Sequence, residues 1–481
     1  MNYNDLLHLA APEAVLVVTA LVVLALGLSN ERASGLCSGV AAAGLLFASS
    51  AVLMLPAQAT LFNGMLVITP LVCLFKVICL ALAFFTVILA RQLETRHRGE
   101  YLALLLLATV GLMLLVGSEE LLVIFIGLEL TGLSLYVMAA FDKSDLRSAE
   151  AGLKYFLFGS TASAFTLFGI SLVYGMTGTT GLGAMGGKFT TITPLLAAGM
   201  VMTLIGFLFK IAAAPFHLWA PDTYQGAPPP SVAFIASASK VASFFVLGKI
   251  VLVGFGPARG DAGWHAFVAG WTPILAALAA LSILIGNLVA LAQSNVRRLL
   301  AYSAVAHSGY TLLGLVAGGR DGFSATLFYT TTYAFTLLGA FGVVALVRRD
   351  TGGDDFSHFA GLHRRSPWLA GCMAVFLLSL AGIPPLAGFF GKFYLFTAAL
   401  RVGANHGLLG LVALALFGSL ISFCYYLIVL KVIFVDKASE SVPTPSLDLL
   451  QRASIGALAM IVLFLGLFPG GLVWKITSSL P

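Results

Sequence analysis

This sequence has little charge. Only 10% of its 481 residues are Asp, Glu, Lys or Arg, where a soluble domain carries about 25%, so a water-soluble globular protein is excluded. Cysteine is sparse as well. Cys37, Cys73, Cys79, Cys372 and Cys424 lie in or beside apolar runs, none at metal-site spacing from a histidine or another cysteine. They read as small buried hydrophobes, and no iron–sulfur cysteine set, haem site or P-loop is present. The pattern Gly181-Leu-Gly183-Ala-Met-Gly186 matches G-x-G-x-x-G. No strand precedes it and no helix opens at its end, so a dinucleotide site is excluded. Arginine is missing from the deep apolar stretches, and Glu129 is the one acid that reads as equally deep. The net charge of +6 does not indicate nucleic acid, because the surplus lies in loops along one side.

Long apolar runs dominate instead. A helix needs about 20 apolar residues to cross a bilayer, and fourteen such runs centre near residues 20, 45, 80, 109, 130, 163, 205, 242, 282, 307, 335, 384, 420 and 463. The fold class is therefore an all-α polytopic membrane protein. The first residues, Met1-Asn2-Tyr3-Asn4-Asp5, lack the basic segment of a cleaved signal, so the first run is expected to remain as a helix. Cytoplasmic loops are rich in Lys and Arg. The odd-numbered loops carry Arg32, Arg91, Arg96, Arg98, Lys143, Arg147, Arg297, Arg298, Arg348, Arg349, Arg364, Arg365, Lys431, Lys437 and Arg452. The even loops and the C-terminus carry only Lys188, Arg259, Arg320, Arg401 and Lys475. This bias places both termini on the outer, periplasmic side.

Two spans are interrupted. The seventh contains Pro215, Pro221, Gly226, Pro228, Pro229 and Pro230, and the twelfth contains Gly382, Pro384, Pro385, Gly388 and Gly391. Broken helices in corresponding halves of a membrane protein point to an ion path built on inverted repeats. Helices 4–8 and 9–13 form two sets of five, and the odd number of crossings inverts the second set. The layout predicts an N-terminal three-helix segment over 1–98, repeats over 99–256 and 257–436, and a last helix within 437–481.

Six lysines lie inside these spans: Lys76, Lys154, Lys210, Lys240, Lys249 and Lys392. A charge at bilayer depth is costly and marks an ion pathway, and lysine, unlike arginine, can release its proton when buried. Lys210 and Lys392 adjoin the two breaks and are candidate proton carriers. Lys240 lies among Ser237, Ser239 and Ser243, which can order water. Glu129 sits about ten residues from either helix end, too deep to reach water. Lys154 either snorkels to the cytoplasm or stands between Glu129 and Lys210. Lys249 lies towards the outer end of its helix, as part of an exit route, while Lys76, outside both repeats, reads as a structural or intersubunit contact. His217 follows Lys210 by seven residues, on much the same face of any continuing helix. His307 is also at depth, and a neutral histidine can relay protons.

Several stretches carry a family resemblance. Phe209-Lys210-Ile-Ala-Ala-Ala-Pro215-Phe-His217-Leu-Trp-Ala-Pro-Asp222-Thr-Tyr-Gln-Gly-Ala-Pro228 resembles the core of the antiporter-like subunits of respiratory complex I. Gly127-Leu-Glu129-Leu, the run from Arg298 through His307 to Tyr310, and the run from Gly382 through Lys392 are similar too. The resemblance covers helices 4–13 and extends to Mrp-type sodium/proton antiporters. It implies that Glu129 pairs with Lys210, and that Lys240 and Lys392 complete a proton path. Lysine rather than glutamate at 392 departs from the M-type, and the end at Pro481 leaves no room for the lateral helix of the L-type. The N-type is most similar, and fourteen retained helices suggest a bacterial inner membrane.

The resemblance implies proton translocation within NADH:quinone oxidoreductase. This chain would hold no cofactor, with NADH, FMN, iron–sulfur clusters and quinone in partner subunits, and it would sit in the lipid bilayer beside other membrane-arm subunits of a hetero-oligomer. An Mrp-type antiporter subunit, a membrane-bound hydrogenase subunit and a structural membrane-arm spacer are the alternatives.

Overall fold

The computed structural model describes residues 7–29, 34–91, 93, 95–188, 192–264, 266–402, 407–437 and 448–480. Residues 1–5, Arg32 and Pro481, read above for signal, loop charge and chain end, lie outside these. In lipid a backbone must satisfy its own polar groups, and a helix does so within one segment. The order is α1 (Ala11–Ser29), α2 (Ser34–Leu53), α3 (Pro70–Ala90), α4 (Arg98–Gly117), α5 (Leu121–Ala139), α6 (Leu146–Thr177), α7 (Pro194–Lys210), α8 (Trp219–Gly226) and α9 (Pro229–Gly254). Then follow α10 (Trp271–Leu291), α11 (Val296–Ala317), α12 (Gly319–Thr351), α13 (Pro367–Ala381), α14 (Ala387–Leu400), α15 (Leu409–Phe434), α16 (Leu449–Leu467) and α17 (Pro469–Ser478).

Among the described residues, 12 helices are long and apolar enough to cross a membrane. The shorter apolar helices α7, α13 and α14 belong to the two interrupted spans. Twelve whole spans and two broken ones account for the expected fourteen. The hydropathy reading missed a small antiparallel hairpin, β1 (Ala59–Leu61) with β2 (Leu66–Ile68), in which Thr60 faces Val67. Its turn places Phe62, Asn63 and Gly64 at positive φ.

The chain divides into two compact units. The first comprises Met1–Lys210 with Ala238–Arg259, and the second Ile211–Ser237 with Gly260–Pro481. Each contains one lysine beside a break, Lys210 in the first and Lys392 in the second. Within the second unit, α12 is buried along its whole apolar window. It nevertheless carries Thr330, Thr331 and Thr336. Their hydroxyls donate to the carbonyls of Thr326, Leu327 and Thr332 at 3.0, 2.8 and 2.7 Å, so no water is needed to satisfy them.

Candidate functional site

In the first unit, α7 stops at Lys210. Beyond it Ala212 takes φ 55°, a left-handed conformation that a residue with a β-carbon rarely adopts, and Pro215 has no N–H to give. The Lys210 ammonium is buried and meets aromatic rings rather than a carboxylate. Its Nζ lies 4.9 Å from the ring centre of Tyr136 on α5, 5.1 Å from that of Tyr155 on α6 and 5.5 Å from that of Phe209. Such cation–π contacts contribute about 0.5–2 kcal/mol each. Among the described residues Nζ has no hydrogen-bond partner. Tyr136 fits because Gly159 opposes it, where a β-carbon would stand 2.0 Å from the tyrosine hydroxyl.

Glu129 lies two turns before Tyr136 on α5. It is half-buried and accepts a hydrogen bond from the Ser163 hydroxyl on α6. Glu129 and Lys210 form no direct ion pair, the ammonium being surrounded instead by the rings of Tyr136, Tyr155 and Phe209. A cavity of about 490 Å³, lined by His97, Glu100, Tyr136, Lys143 and Phe156 among others, opens at the ends of α4, α5 and α6. Tyr136 is thus a wall both of this cavity and of the Lys210 cage.

Three other lysines of the first unit do have carboxylate partners. The Lys76 ammonium, fully buried on α3, lies 2.6 Å from Glu13 at the start of α1. Lys249 on α9 lies 2.9 Å from Glu119, in the α4–α5 connection. Lys154, more than a third exposed, pairs with Glu150 one turn earlier at 2.6 Å, the arrangement of a snorkelling side chain. Glu13 and Glu119 were not anticipated, because each stands at a helix end and reads as a loop acid.

Lys240 and Lys249 bound a regular α-helical stretch of α9 between two widened turns. π-helical turns cover Ile235–Ser239, just before Lys240, and Ile250–Gly254, just after Lys249. Such turns are frequent at functional sites. Lys240 is buried.

In the second unit the chain leaving the seventh-span break is held by serines. The Ala214 N–H donates to Ser282 Oγ at 2.9 Å, and the Ser308 hydroxyl donates to the Ile211 carbonyl. His217 is buried in this non-helical stretch, and its Nδ1 has no hydrogen-bond partner among the described residues. The helix does not continue from Lys210, so the shared helical face expected for Lys210 and His217 does not form.

The second break lies between α13 and α14. Gly382 caps α13 at φ 88°, a conformation glycine adopts without penalty. The Lys392 ammonium reaches back from α14, donating to the Ala381 carbonyl at 3.0 Å and to Ser419 Oγ on α15 at 2.9 Å. It also lies 5.2 Å from the Tyr310 ring centre. Ala381 closes α13, so a cation sits at the negative end of a helix dipole.

Near Tyr310, Asn287 Nδ2 donates to the tyrosine hydroxyl at 2.8 Å, and the Tyr425 hydroxyl donates to Asn287 Oδ1 at 3.2 Å. His307 is buried between two phenols, with Nδ1 2.6 Å from the Tyr329 hydroxyl and Nε2 3.1 Å from that of Tyr426. Tyr426 also hydrogen-bonds Ser303. The tyrosines escaped the sequence reading because their rings look like ordinary apolar packing.

Arg297 was assigned to a loop, yet it is fully buried. It donates to the carbonyls of Tyr224, at 2.7 Å, and Ala227, at the end of α8. Its guanidinium also lies 3.3 Å from Asp354, which Arg348 meets at 3.0 Å. Burial works against the charged Asp354 carboxylate. Arg297 and Arg348, with a hydrogen bond from Asn295, outweigh it and hold Asp354 below the ordinary carboxylate value. Among the described residues no group of three or more His, Cys, Asp and Glu could hold a metal ion.

The fold and site define a polytopic, all-α membrane protein with two interrupted helices and a lysine buried beside each break. Residues 118–422 match the family described as NADH:quinone oxidoreductase/Mrp antiporter, TM. The chain is 46% identical over 484 residues to NADH-quinone oxidoreductase subunit N 2 of Acidobacterium capsulatum, covering 98% of each. A chain of respiratory complex I from Thermus thermophilus with bound aureothin superposes with a TM-score of 0.81 at 33% identity, over 97% of this chain and 100% of that one. A chain of the Mrp complex from a Dietzia species shares the fold, with a TM-score of 0.85 at 21% identity, over 98% of this chain and 96% of that one. The chain belongs to the NADH:quinone oxidoreductase/Mrp antiporter transmembrane family.

Proposed function

We propose that this chain is a proton-translocating membrane subunit of an NADH:quinone oxidoreductase. One observation carries the reading. Lys210 and Lys392 are buried beside the two helix breaks, and neither has a carboxylate in contact among the described residues. Lys76, Lys154 and Lys249 do have one. A buried lysine that only stabilises structure is expected to carry its counter-ion. One that lacks it is suited to alternate between charged and neutral forms.

Protons would enter from the cytoplasm, with the cavity bordered by Tyr136 as an uptake route, and reach Lys210 and Lys240. From there they would pass to Lys392 and leave outward, with His217 and His307 as relays and Lys249 with Glu119 near the outer end. Lys154, held by Glu150, has the weakest claim to the path. Glu129 tunes the first step. A carboxylate near a lysine favours the ammonium, and withdrawing or neutralising it favours proton release. Moving a charge against the membrane potential costs about 2.3 kcal/mol per 100 mV. Redox chemistry in partner subunits, where NADH, FMN, iron–sulfur clusters and quinone would be held, supplies that energy. The membrane is proposed to be a bacterial inner membrane, with both termini on the periplasmic side and the repeats 99–256 and 257–436 forming one half-channel each.

The test is proton pumping and NADH–quinone turnover in vesicles carrying the assembled Lys392→Ala or Lys210→Ala complex. Loss of pumping with assembly intact is expected for both. Normal pumping by both variants would reduce the chain to a membrane-arm spacer. Sodium-dependent proton movement without NADH would instead favour an Mrp-type antiporter subunit.

A further inference from the structure

The two partners of the Lys249–Glu119 pair differ in their surroundings. The Lys249 side chain on α9 is 10% exposed, whereas that of Glu119, in the α4–α5 connection, is 37% exposed. Their charged atoms meet at 2.9 Å. One partner belongs to the interior and the other to the outer surface, and the contact closes the way between them. Inward of the pair the wall is aromatic. The Lys249 ammonium lies 5.4 Å from the ring centre of Phe245, one turn earlier on α9, and that ring meets Phe75 of α3 with centres 4.8 Å apart.

Both partners are braced by the same piece of chain. The Glu119 N–H donates to the Gly64 carbonyl of the hairpin turn at 2.8 Å, and the Leu182 N–H donates to the Glu119 carbonyl at 2.9 Å. Leu182 opens a short helix, Leu182–Gly186, within the glycine-rich run that begins at Gly181. This helix also packs on the widened turn that follows Lys249. A β-carbon on Gly254 would stand 3.0 Å from the side chains of both Leu182 and Met185, and one on Gly186 would stand 3.1 Å from the Val253 carbonyl. Glycine at both positions permits this approach. One short helix thus holds the backbone of Glu119 and the turn behind Lys249 in register. An ion pair reaching the surface contributes little stability, so a brace of this kind points to another task.

Removing the carboxylate would leave a buried ammonium without its counter-ion, and a buried polar site of that kind is satisfied by water. Water continuous with the outer surface would give protons a way back. We propose that the Lys249–Glu119 pair is the outer seal of the first unit and blocks the passive return of protons through it. The inference rests on the proton-translocating reading above, and it gives the pair placed there near the outer end a closing task. The Leu182–Gly186 helix is the positioning element of the seal.

The experiment measures how fast an imposed pH gradient decays across vesicles that hold the assembled oxidoreductase, without NADH, using a trapped fluorescent pH indicator. Wild type, Glu119→Gln and Lys392→Ala are compared at matched protein content, and pumping is then measured with NADH. Glutamine keeps the size of the side chain and removes its charge. Glu119→Gln is expected to speed the decay severalfold and to lower net pumping per NADH oxidised. Lys392→Ala is expected to pump poorly without a faster decay. A gradient as long-lived in Glu119→Gln as in wild type would overturn the seal, and the loss of pumping in Lys392→Ala would leave the wider reading standing. Normal pumping in Lys392→Ala would remove the wider reading and the seal with it. If Glu119→Gln fails to assemble, Glu119→Asp keeps the charge and withdraws it by one methylene, and a faster decay is again expected. Wild-type decay in that variant would overturn the seal, because a pair whose two backbones are braced cannot close the gap by moving together.

Discussion

The Lys392 ammonium donates to the carbonyl of Ala381, 3.0 Å away, across the break between α13 and α14. The break exposes an unpaired carbonyl at the end of one half-helix, and the side chain of the next half satisfies it. The same residue is therefore the plug of the gap and a candidate carrier. Releasing its proton turns a charge-assisted hydrogen bond into a weaker neutral one, so protonation there is tied to how firmly the two half-helices are joined.

Lys392→Arg separates these roles. Arginine keeps the charge and the donors but does not release a proton. The complex is expected to assemble with the break intact while pumping falls by about tenfold or more. Vesicle acidification and native gels of the same membranes check both parts. Arginine supporting normal pumping would show that position 392 need only be charged.

Glu13 and Lys76 form a buried ion pair in the first unit, 2.6 Å apart. Removing one partner of a buried pair leaves an uncompensated charge and costs about 3–5 kcal/mol, whereas replacing both with apolar groups is often neutral. Glu13→Leu is expected to lower the thermal stability of the purified complex, and Glu13→Leu with Lys76→Met to restore most of it. Pumping per assembled complex should stay near wild type in the double variant. A double variant as unstable as the single would argue against the pair.

Asp354 supplies a pH dependence of stability outside the membrane spans. The guanidinium groups of Arg297 and Arg348 outweigh burial and keep its folded-state pKa below the ordinary 3.8. For a depressed carboxylate the stabilisation is fully present above the unfolded value and is lost as pH falls through the folded one. Stability of the solubilised complex should therefore carry an Asp354 contribution down to about pH 4 and lose it at more acid pH. Asp354→Asn should be less stable at neutral pH and show less of this acid loss. A parallel loss in variant and wild type would place the titration elsewhere.

Much of this arrangement is legible in the sequence, and the gaps have physical reasons. Spans follow from hydropathy because lipid forces each segment to close its own hydrogen bonds. The breaks at Pro215 and Pro384–Pro385 follow from residues that lack an N–H. What hydropathy does not show is which deep lysine has a counter-ion. Glu13 and Glu119 come from distant parts of the chain and sit at helix ends, where acids look solvated. Arg297 looks like a loop cation for the same reason, although its fork closes the end of α8. The widened turns of α9 leave no mark in composition, since Ile235–Ser239 reads as ordinary helix.

The regular stretch Lys240–Lys249 of α9 has a consequence for any map of the path. At 3.6 residues per turn the two lysines, nine positions apart, point in roughly opposite directions. The helix stands between them like a partition. Lys240 lies on one side of that wall, and the Lys249–Glu119 pair on the other. On the proposed path, a proton passing between the two lysines would have to go around α9, by way of groups on its neighbours.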